Sequence, residues 1–385
     1  MRAEPPPKRI LILTSEFVPV RGGIGTYAFE MAQAATELGS IVSVVAPSYG
    51  SNLIGEIDNC SAFGVSRFRG GRHRAKDLIK KINLVRKQLN IHTYDIVHAV
   101  DWPFYVPVRL ARKLHKGRFI LTMHGTEINE ISGSYKKHVA KALGLFNGWA
   151  DIVANSQYTH DLFMRRFGPI SRGSITWEHL GVSRFWSEVP ASREDVRRGF
   201  NLPTDNLVLI TTGRLTPRKG QDLVIDAIEL LPAELRSRIT YIIAGPVENN
   251  EFVRYLQTRA VQSPCDIRLL NALTDHALRD LYGASDLFCL TGRTDGARVE
   301  GFGLVFLEAG AQGLPSIASA IGGVPEVVHD GIAGLLVPPE SVERTAQAIS
   351  TLAVNSELRR NLGKQARQRA RALDWIRCAR NTYHI

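Results

Sequence analysis

The chain alternates short apolar runs with longer stretches of helical period, and it does so in two series. In the first half the runs are 10–13 (ILIL), 41–46 (IVSVVA), 94–99 (YDIVHA), 119–123 (FILTM) and 151–154 (DIVA). In the second half they are 207–211 (LVLIT), 240–244 (TYIIA), 266–270 (DIRLL), 286–290 (DLFCL), 315–318 (PSIA) and 335–337 (LLV). Continuous apolar runs mark strands buried on both faces, and strands alternating with helices build parallel sheets. The sequence therefore predicts an α/β protein of two doubly wound, Rossmann-like domains, each with its ligand loops at the carboxyl ends of the strands. A length of 385 residues suits two cores better than one.

The expected boundary lies in 184–206, where Arg184-Phe185-Trp186 gives way to Pro190, a polar helix and Asn201-Leu202-Pro203. This sets a first domain at 1–187, a second at 188–373 and a closing helix over 374–385. The only early apolar run, 10–13, is too short for a signal core or a bilayer span, so a soluble cytoplasmic chain is expected. Cys60, Cys265, Cys289 and Cys378 are scattered without ligand spacing, which suggests idle or buried thiols and no metal site. Charge is unevenly divided: residues 1–187 hold 25 Lys and Arg against 14 Asp and Glu, whereas 188–385 hold 23 of each. A basic half points to one face that meets something anionic.

Four segments carry candidate chemistry. The first strand runs into Arg21-Gly22-Gly23-Ile24-Gly25 before a helix expected near Thr26. Glycines such as Gly23 let backbone N–H groups approach a phosphate, or simply make a tight turn. The run is not the GxGxxG fingerprint, and the second strand ends in Ala46-Pro47-Ser48 where a dinucleotide enzyme places its ribose-binding acid. His124, in Met123-His124-Gly125-Thr126-Glu127, follows the fourth run; it is either a ligand to a sugar hydroxyl or a structural histidine. Thr212-Gly213-Arg214-Leu215-Thr216-Pro217-Arg218-Lys219-Gly220 opens the second domain, where Arg214 and Lys219 together can neutralise a diphosphate. The most specific segment is Glu300-Gly301-Phe302-Gly303-Leu304-Val305-Phe306-Leu307-Glu308. Its turn presents the amides of Phe302, Gly303 and Leu304 to a phosphate or sugar oxygen, Glu308 suits a ribose diol, and Glu300 can face the sugar. A glutamate such as Glu308, inside the apolar stretch LVFLEAGAQG, is expected to be buried with a partner.

These segments, with GGIGTY, HGTE, IGGVPEVV and GIAGLLVPP, resemble the GT-B glycosyltransferases of family 4 over nearly the whole chain. The resemblance implies two domains facing across a cleft, with a nucleotide diphosphate sugar held by the second domain and the acceptor by the first. It implies that Arg214 and Lys219 hold the diphosphate and Glu308 the ribose. Glu300 and the 302–304 backbone would hold sugar and phosphate, and His124 would touch the transferred sugar. It further implies retention of anomeric configuration, no metal and no cofactor, the nucleotide sugar being a substrate. Base readout is expected from the loop after DIRLL, through Asn271 and Leu273. Three departures stand out: a long charged lead 291–299 carrying Arg293 and Arg298, His179-Leu180-Gly181-Val182 between the domains, and a final helix ending at Ile385. The alternatives are a sugar-nucleotide epimerase on the same scaffold and a non-catalytic nucleotide-sugar binder; no nucleic-acid-binding motif is present.

One segment speaks to the acceptor. Residues 66–90 carry Arg67, Arg69, Arg72, Arg74, Lys76, Lys80, Lys81, Arg86 and Lys87 against Asp77 alone. Leu78, Ile79, Ile82, Val85 and Leu89 recur at helical spacing, which predicts an apolar stripe under a basic cover. Such a helix either packs on its own sheet with solvated cations, or docks on an anionic membrane that presents a lipid or glycan acceptor.

Overall fold

A computed structural model of the chain describes residues 6–20, 22–50, 54–70, 77–170, 173–271 and 273–385. Arg21 of the glycine run, Arg72, Arg74 and Lys76 of the basic window, and Ala272 between Asn271 and Leu273 lie outside the described residues. The chain divides into two units, Met1–Gly181 with Trp375–Ile385, and Val182–Asp374.

The first unit is built on a seven-stranded sheet of order β3-β2-β1-β4-β5-β6-β7. Its strands are β1 (Arg9–Leu13), β2 (Ile41–Pro47), β3 (Gly64–Phe68), β4 (Ile96–Ala99), β5 (Arg118–Met123), β6 (Asp151–Ala154) and β7 (Ile175–Trp177), and every pairing is parallel. The second unit holds a parallel six-stranded sheet of order β10-β9-β8-β11-β12-β13. Here β8 is Leu207–Thr212, β9 Ile239–Ala244, β10 Asp266–Leu270, β11 Leu287–Leu290, β12 Ser316–Ser319 and β13 Gly334–Val337. The central strands are fully buried, as Ile10, Leu11, Ile12 and Leu13 are in β1 and Leu209 and Ile210 are in β8. Continuous apolar runs were the right signal for them. Two edge strands, β3 (GVSRF) and β7 (ITW), carry no such run, because an edge strand with half-exposed residues needs no continuous apolar sequence. Strand order reverses between β1 and β4 and between β8 and β11, and ligand crevices of open α/β sheets form outside the carboxyl ends at such points.

The boundary falls at 181/182, before the expected 187/188. The segment after Gly181 is tied to the second unit by several contacts. The Val182 N–H donates to the Leu373 carbonyl at 2.9 Å, Gln312 Nε2 donates to the Trp186 and Glu188 carbonyls, and Arg279 lies 4.7 Å over the Phe185 ring. The final helix, Trp375–Tyr383, belongs to the first unit. Trp375 meets the Tyr27 ring edge-on at 5.9 Å, Tyr383 OH bonds His98 Nδ1 at 2.8 Å, and Arg118 donates to the Thr382 carbonyl at 2.9 Å. Arg377 pairs with Glu178 and donates to the His179 carbonyl, fixing the departing HLGV segment.

The basic helix spans Leu78–Ile91, and the expected stripe needs correcting. Its buried residues are Lys81, Val85 and Leu89, whereas Leu78 is 39% and Ile79 71% exposed. Lys81 belongs to the core rather than to the cationic cover. Its ammonium donates to Ser15 Oγ at 2.9 Å and lies 5.1 Å over the Phe104 ring. Burial pulls its pKa down, and the charges of Asp101 and Asp77 oppose that. A buried ammonium is tolerable only with such partners. Arg67 is also engaged, on Asp58 and on the Val18 and Pro47 carbonyls.

Docking of the last helix is expected to stabilise the first unit selectively. Tyr383 is fully buried, so Tyr383→Ala should cost about 3–5 kcal/mol. Urea unfolding followed by probes in each unit should show the first unit's midpoint falling and the second's unchanged.

Candidate active site

In the second unit the reversal point gathers three loops. The loop after β8 carries a 3₁₀ turn, Pro217–Lys219, that ends at Gly220. Gly220 has φ +69°, and a Cβ there would stand 2.0 Å from the Thr291 carbonyl oxygen, so only glycine lets this loop close on the end of β11. Gly322 of the IGGVPEVV segment does the same for Glu300: its φ is +55° and a Cβ would meet the Glu300 carbonyl oxygen at 2.0 Å. The Gly323 N–H then donates to that carbonyl at 2.9 Å.

These approaches place Glu300 against two cations. Lys219 Nζ lies 2.8 Å and Arg218 Nη1 3.1 Å from the same oxygen, Glu300 Oε2, with all three side chains under 20% exposed. Burial alone would raise the Glu300 carboxyl, but Lys219 and Arg218 bring it down to about 2. Burial pulls Lys219 downward, and Glu300 opposes it. Glu300 is thus ionised at neutral pH. Lys219 and Glu300 line a cavity of ≈ 10 Å³, room for about one water.

The structure brings Lys219 and Glu300 together and adds Arg218, which the sequence reading did not single out. Its one signal was its place beside Lys219 in Pro217-Arg218-Lys219-Gly220. Arg214, paired in the sequence reading with Lys219, instead meets Glu248 at 2.9 Å, and its side chain is 45% exposed. Arg293 is a structural residue: it grips Asp222 at 2.7 and 2.8 Å, donates to the Pro217 carbonyl, and its N–H bonds the Arg218 carbonyl. Arg298 makes a surface pair with Asp295. Phe302 and Gly303 form the turn into the helix Leu304–Ala311, which no side chain caps among the described residues. The first N–H groups of such a helix have no partner within it and suit an oxyanion. Glu308 lies one turn on, half-buried rather than fully buried, and its charge adds to the burial that raises Tyr282. Asn271 is exposed and Leu273 half-buried after β10.

In the first unit His124 follows β5. Its Nε2 lies 3.0 Å from the Val100 carbonyl, an acceptor only, so Nε2 carries the proton and Nδ1 keeps a lone pair. Burial lowers its pKa, against the pull of Glu127 and of the Val100 carbonyl, so the ring is neutral at pH 7. The Tyr27 ring meets it edge-on at 5.3 Å. Behind it runs a buried network missed in sequence: His98 Nε2 to Thr122 Oγ1 at 2.6 Å, and Tyr27 OH to Thr122 Oγ1 at 3.1 Å. His98 in YDIVHA was its only signal. Gly23 opens the helix Gly23–Glu37, three residues earlier than expected, and a Cβ there would meet nothing within 4 Å. Crowding therefore does not demand glycine at 23. All four cysteines are free, and the described residues contain no cluster able to hold a metal ion.

Two family models match the chain. One, described as glycosyl transferases group 1, matches residues 192–369, and the other, glycosyltransferase family 4, matches 21–183. This chain is a family 4 glycosyltransferase of the GT-B fold. It is 27% identical to a GDP-mannose-dependent alpha-(1-6)-phosphatidylinositol monomannoside mannosyltransferase of Mycobacterium tuberculosis, over 94% of this chain and 93% of that protein. It is 26% identical to a D-inositol 3-phosphate glycosyltransferase of Kribbella flavida, over 94% and 89%. Among solved structures it superposes on Anabaena HepE in complex with UDP and glucose with a TM-score of 0.79, at 19% identity and 98% coverage of both chains. Sucrose-phosphate synthase from Thermosynechococcus elongatus gives 0.81 at 20% identity, again over 98% of both. Membership of this transferase family sets aside the epimerase and the non-catalytic binder.

The buried network of this glycosyltransferase makes its first unit acid-sensitive. Burial, with His124 and Arg118, brings His98 down to about 3. The folded protein therefore keeps the ring neutral while the unfolded chain protonates it below about pH 6.5. The stability this contributes is complete above pH 6.5 and lost as pH falls toward 3. Urea midpoints of the first unit should drop between pH 7 and pH 5, and drop less in His98→Asn.

Proposed function

We propose that this glycosyltransferase retains anomeric configuration and moves a hexosyl unit from a nucleotide diphosphate sugar to a lipid-linked or inositol-bearing acceptor in envelope glycan synthesis. The observation that carries the reading is the Lys219–Glu300–Arg218 cluster at the β8/β11 reversal point. There, cations for a diphosphate stand beside an ionised acceptor for sugar hydroxyls and near the uncapped helix Leu304–Ala311. In this reading Arg214 leaves Glu248 to join Lys219 on the diphosphate, Glu308 takes the ribose, and the loop of Asn271 and Leu273 takes the base. Glu300 accepts hydrogen bonds from the hexose, and in the first unit the neutral His124 ring offers its Nδ1 lone pair to a hydroxyl. The diphosphate is neutralised by side chains and helix amides, so the chemistry needs neither metal nor resident cofactor. Retention follows if the acceptor attacks on the face the diphosphate leaves, with a departing phosphate oxygen taking the proton. The mannosyltransferase relatives make GDP-mannose the first donor to test.

Charge-assisted bonds of this kind are worth about 1.5–3 kcal/mol each. Lys219→Ala and Arg214→Ala should each weaken GDP binding at least tenfold by calorimetry, whereas Glu300→Gln should leave GDP affinity nearly intact and depress turnover. Unchanged GDP affinity in both cation variants would place the donor elsewhere. An inverted product anomer by proton NMR would overturn retention.

The same reading places the enzyme at an anionic membrane surface. No helix among the described residues is long and apolar enough to cross a membrane. The helix Leu78–Ile91 instead presents Ile79, Lys80, Arg86, Lys87 and Ile91 outward, with no acidic residue within it. Each exposed cation near an anionic leaflet contributes about 1 kcal/mol. Sedimentation with vesicles should require anionic lipid, weaken with salt, and fall in Lys80→Gln/Arg86→Gln/Lys87→Gln. Lys81 is left intact because it supports the core. Equal binding to neutral vesicles, or none to either kind, would favour a soluble acceptor.

A further inference from the structure

Two cations end on one oxygen of Glu300, and they differ in how freely they can leave it. Lys219 offers a flexible stem and an ammonium whose three donors point where they are drawn. A diphosphate carries more charge than a carboxylate and competes for that ammonium. Arg218 differs in its head group, a planar guanidinium fork. It sits in the turn Pro217–Lys219, and Arg293 clamps that turn through its own N–H on the Arg218 carbonyl at 2.8 Å and its guanidinium on the Pro217 carbonyl at 2.7 Å. Arg293 is itself anchored on Asp222 by two further bonds. Glu300 is fixed from the other side by the Gly323 N–H on its carbonyl. The backbone that carries both cations and the backbone of Glu300 are thus clamped, and each cation reaches Oε2 through its own side chain.

We propose that Arg218 is a positioning residue, which keeps Glu300 ionised and oriented toward the hexose while Lys219 is drawn onto the donor's diphosphate. The proposal rests on the donor-site reading above for the event that removes Lys219, but not for the Arg218–Glu300 contact itself. Its physical need is simple. A buried carboxylate that loses its only cation takes up a proton, and a protonated Glu300 is a poorer acceptor for sugar hydroxyls. A second cation that stays on Glu300 prevents this. It also accounts for two basic residues side by side in the Pro217-Arg218-Lys219-Gly220 turn, where one would neutralise Glu300.

The test follows the Glu300 carboxyl by carbon NMR in protein labelled at glutamate side chains, its signal assigned by loss in Glu300→Gln. Removing the lysine genetically mimics its departure without a donor. In Lys219→Met, Glu300 should remain ionised from pH 8 to pH 5, and in Lys219→Met/Arg218→Gln its midpoint should rise by at least one pH unit. Lys219→Met/Arg218→Lys should restore a low midpoint, which a role in packing alone would not produce. Adding GDP to Arg218→Gln should raise the midpoint as the double variant does, while adding it to wild type should not. If the double variant fails to fold, Arg218→Gln with and without GDP decides alone. Identical titrations with and without Arg218 would overturn the proposal. Absence of binding to wild type by GDP, UDP and ADP alike would instead overturn the donor-site reading, and the Lys219→Met pair would still decide whether Arg218 holds Glu300.

Discussion

The second unit is organised around a carboxylate that has been taken out of water. Glu300 is kept charged by Lys219 and Arg218, and that demand draws the loop after β8 and the turn after β11 into contact. The contact in turn requires backbones to approach where no side chain fits, at Gly220 over Thr291 and at Gly322 over Glu300. Buried ion groups of this kind are poor sources of stability, because desolvation offsets most of their attraction. Their value lies in a fixed arrangement of charge that is ready before a ligand arrives.

The first unit solves a different problem with neutral groups. His98, Thr122, Tyr27 and Tyr383 form a fully buried hydrogen-bonded set, and His124 stands beside it as a neutral ring with one nitrogen spent on Val100. No net charge is stored there. The contrast suits the proposed division of labour, in which one unit meets a diphosphate and the other a hydroxyl. The closing helix is part of this second arrangement, since its Tyr383 completes the network across 285 residues of sequence.

The excess positive charge of the first half looks different once it is placed. Lys81 has moved into the core between Ser15 and Phe104, and Arg67 is spent on Asp58 and two carbonyls. What remains exposed on the helix Leu78–Ile91 is a narrower set, Lys80, whose ammonium lies 3.8 Å from Asp77, with Arg86 and Lys87, flanked by Ile79 and Ile91. A lysine has a long apolar stem, so periodicity cannot tell whether its head stays in water or is carried inward to a carboxylate.

The sequence by itself determined the two parallel sheets, because a strand buried on both faces must be apolar throughout and such runs are visible without a structure. It also determined the motif segments, GRLTPRKG and EGFGLVFLE, since loops at the carboxyl ends of strands carry their chemistry in contiguous residues. Only the tertiary structure decided which cation meets which carboxylate. Lys219 and Arg218 met Glu300, a pairing no spacing announced, and Arg214 went to Glu248. It also decided that Arg293 is a clamp, that His98 backs the His124 site, and that the chain changes units at Gly181. Pairings of this sort depend on distances between residues tens to hundreds of positions apart. No local pattern encodes them, because each is settled by how closely two loops can approach.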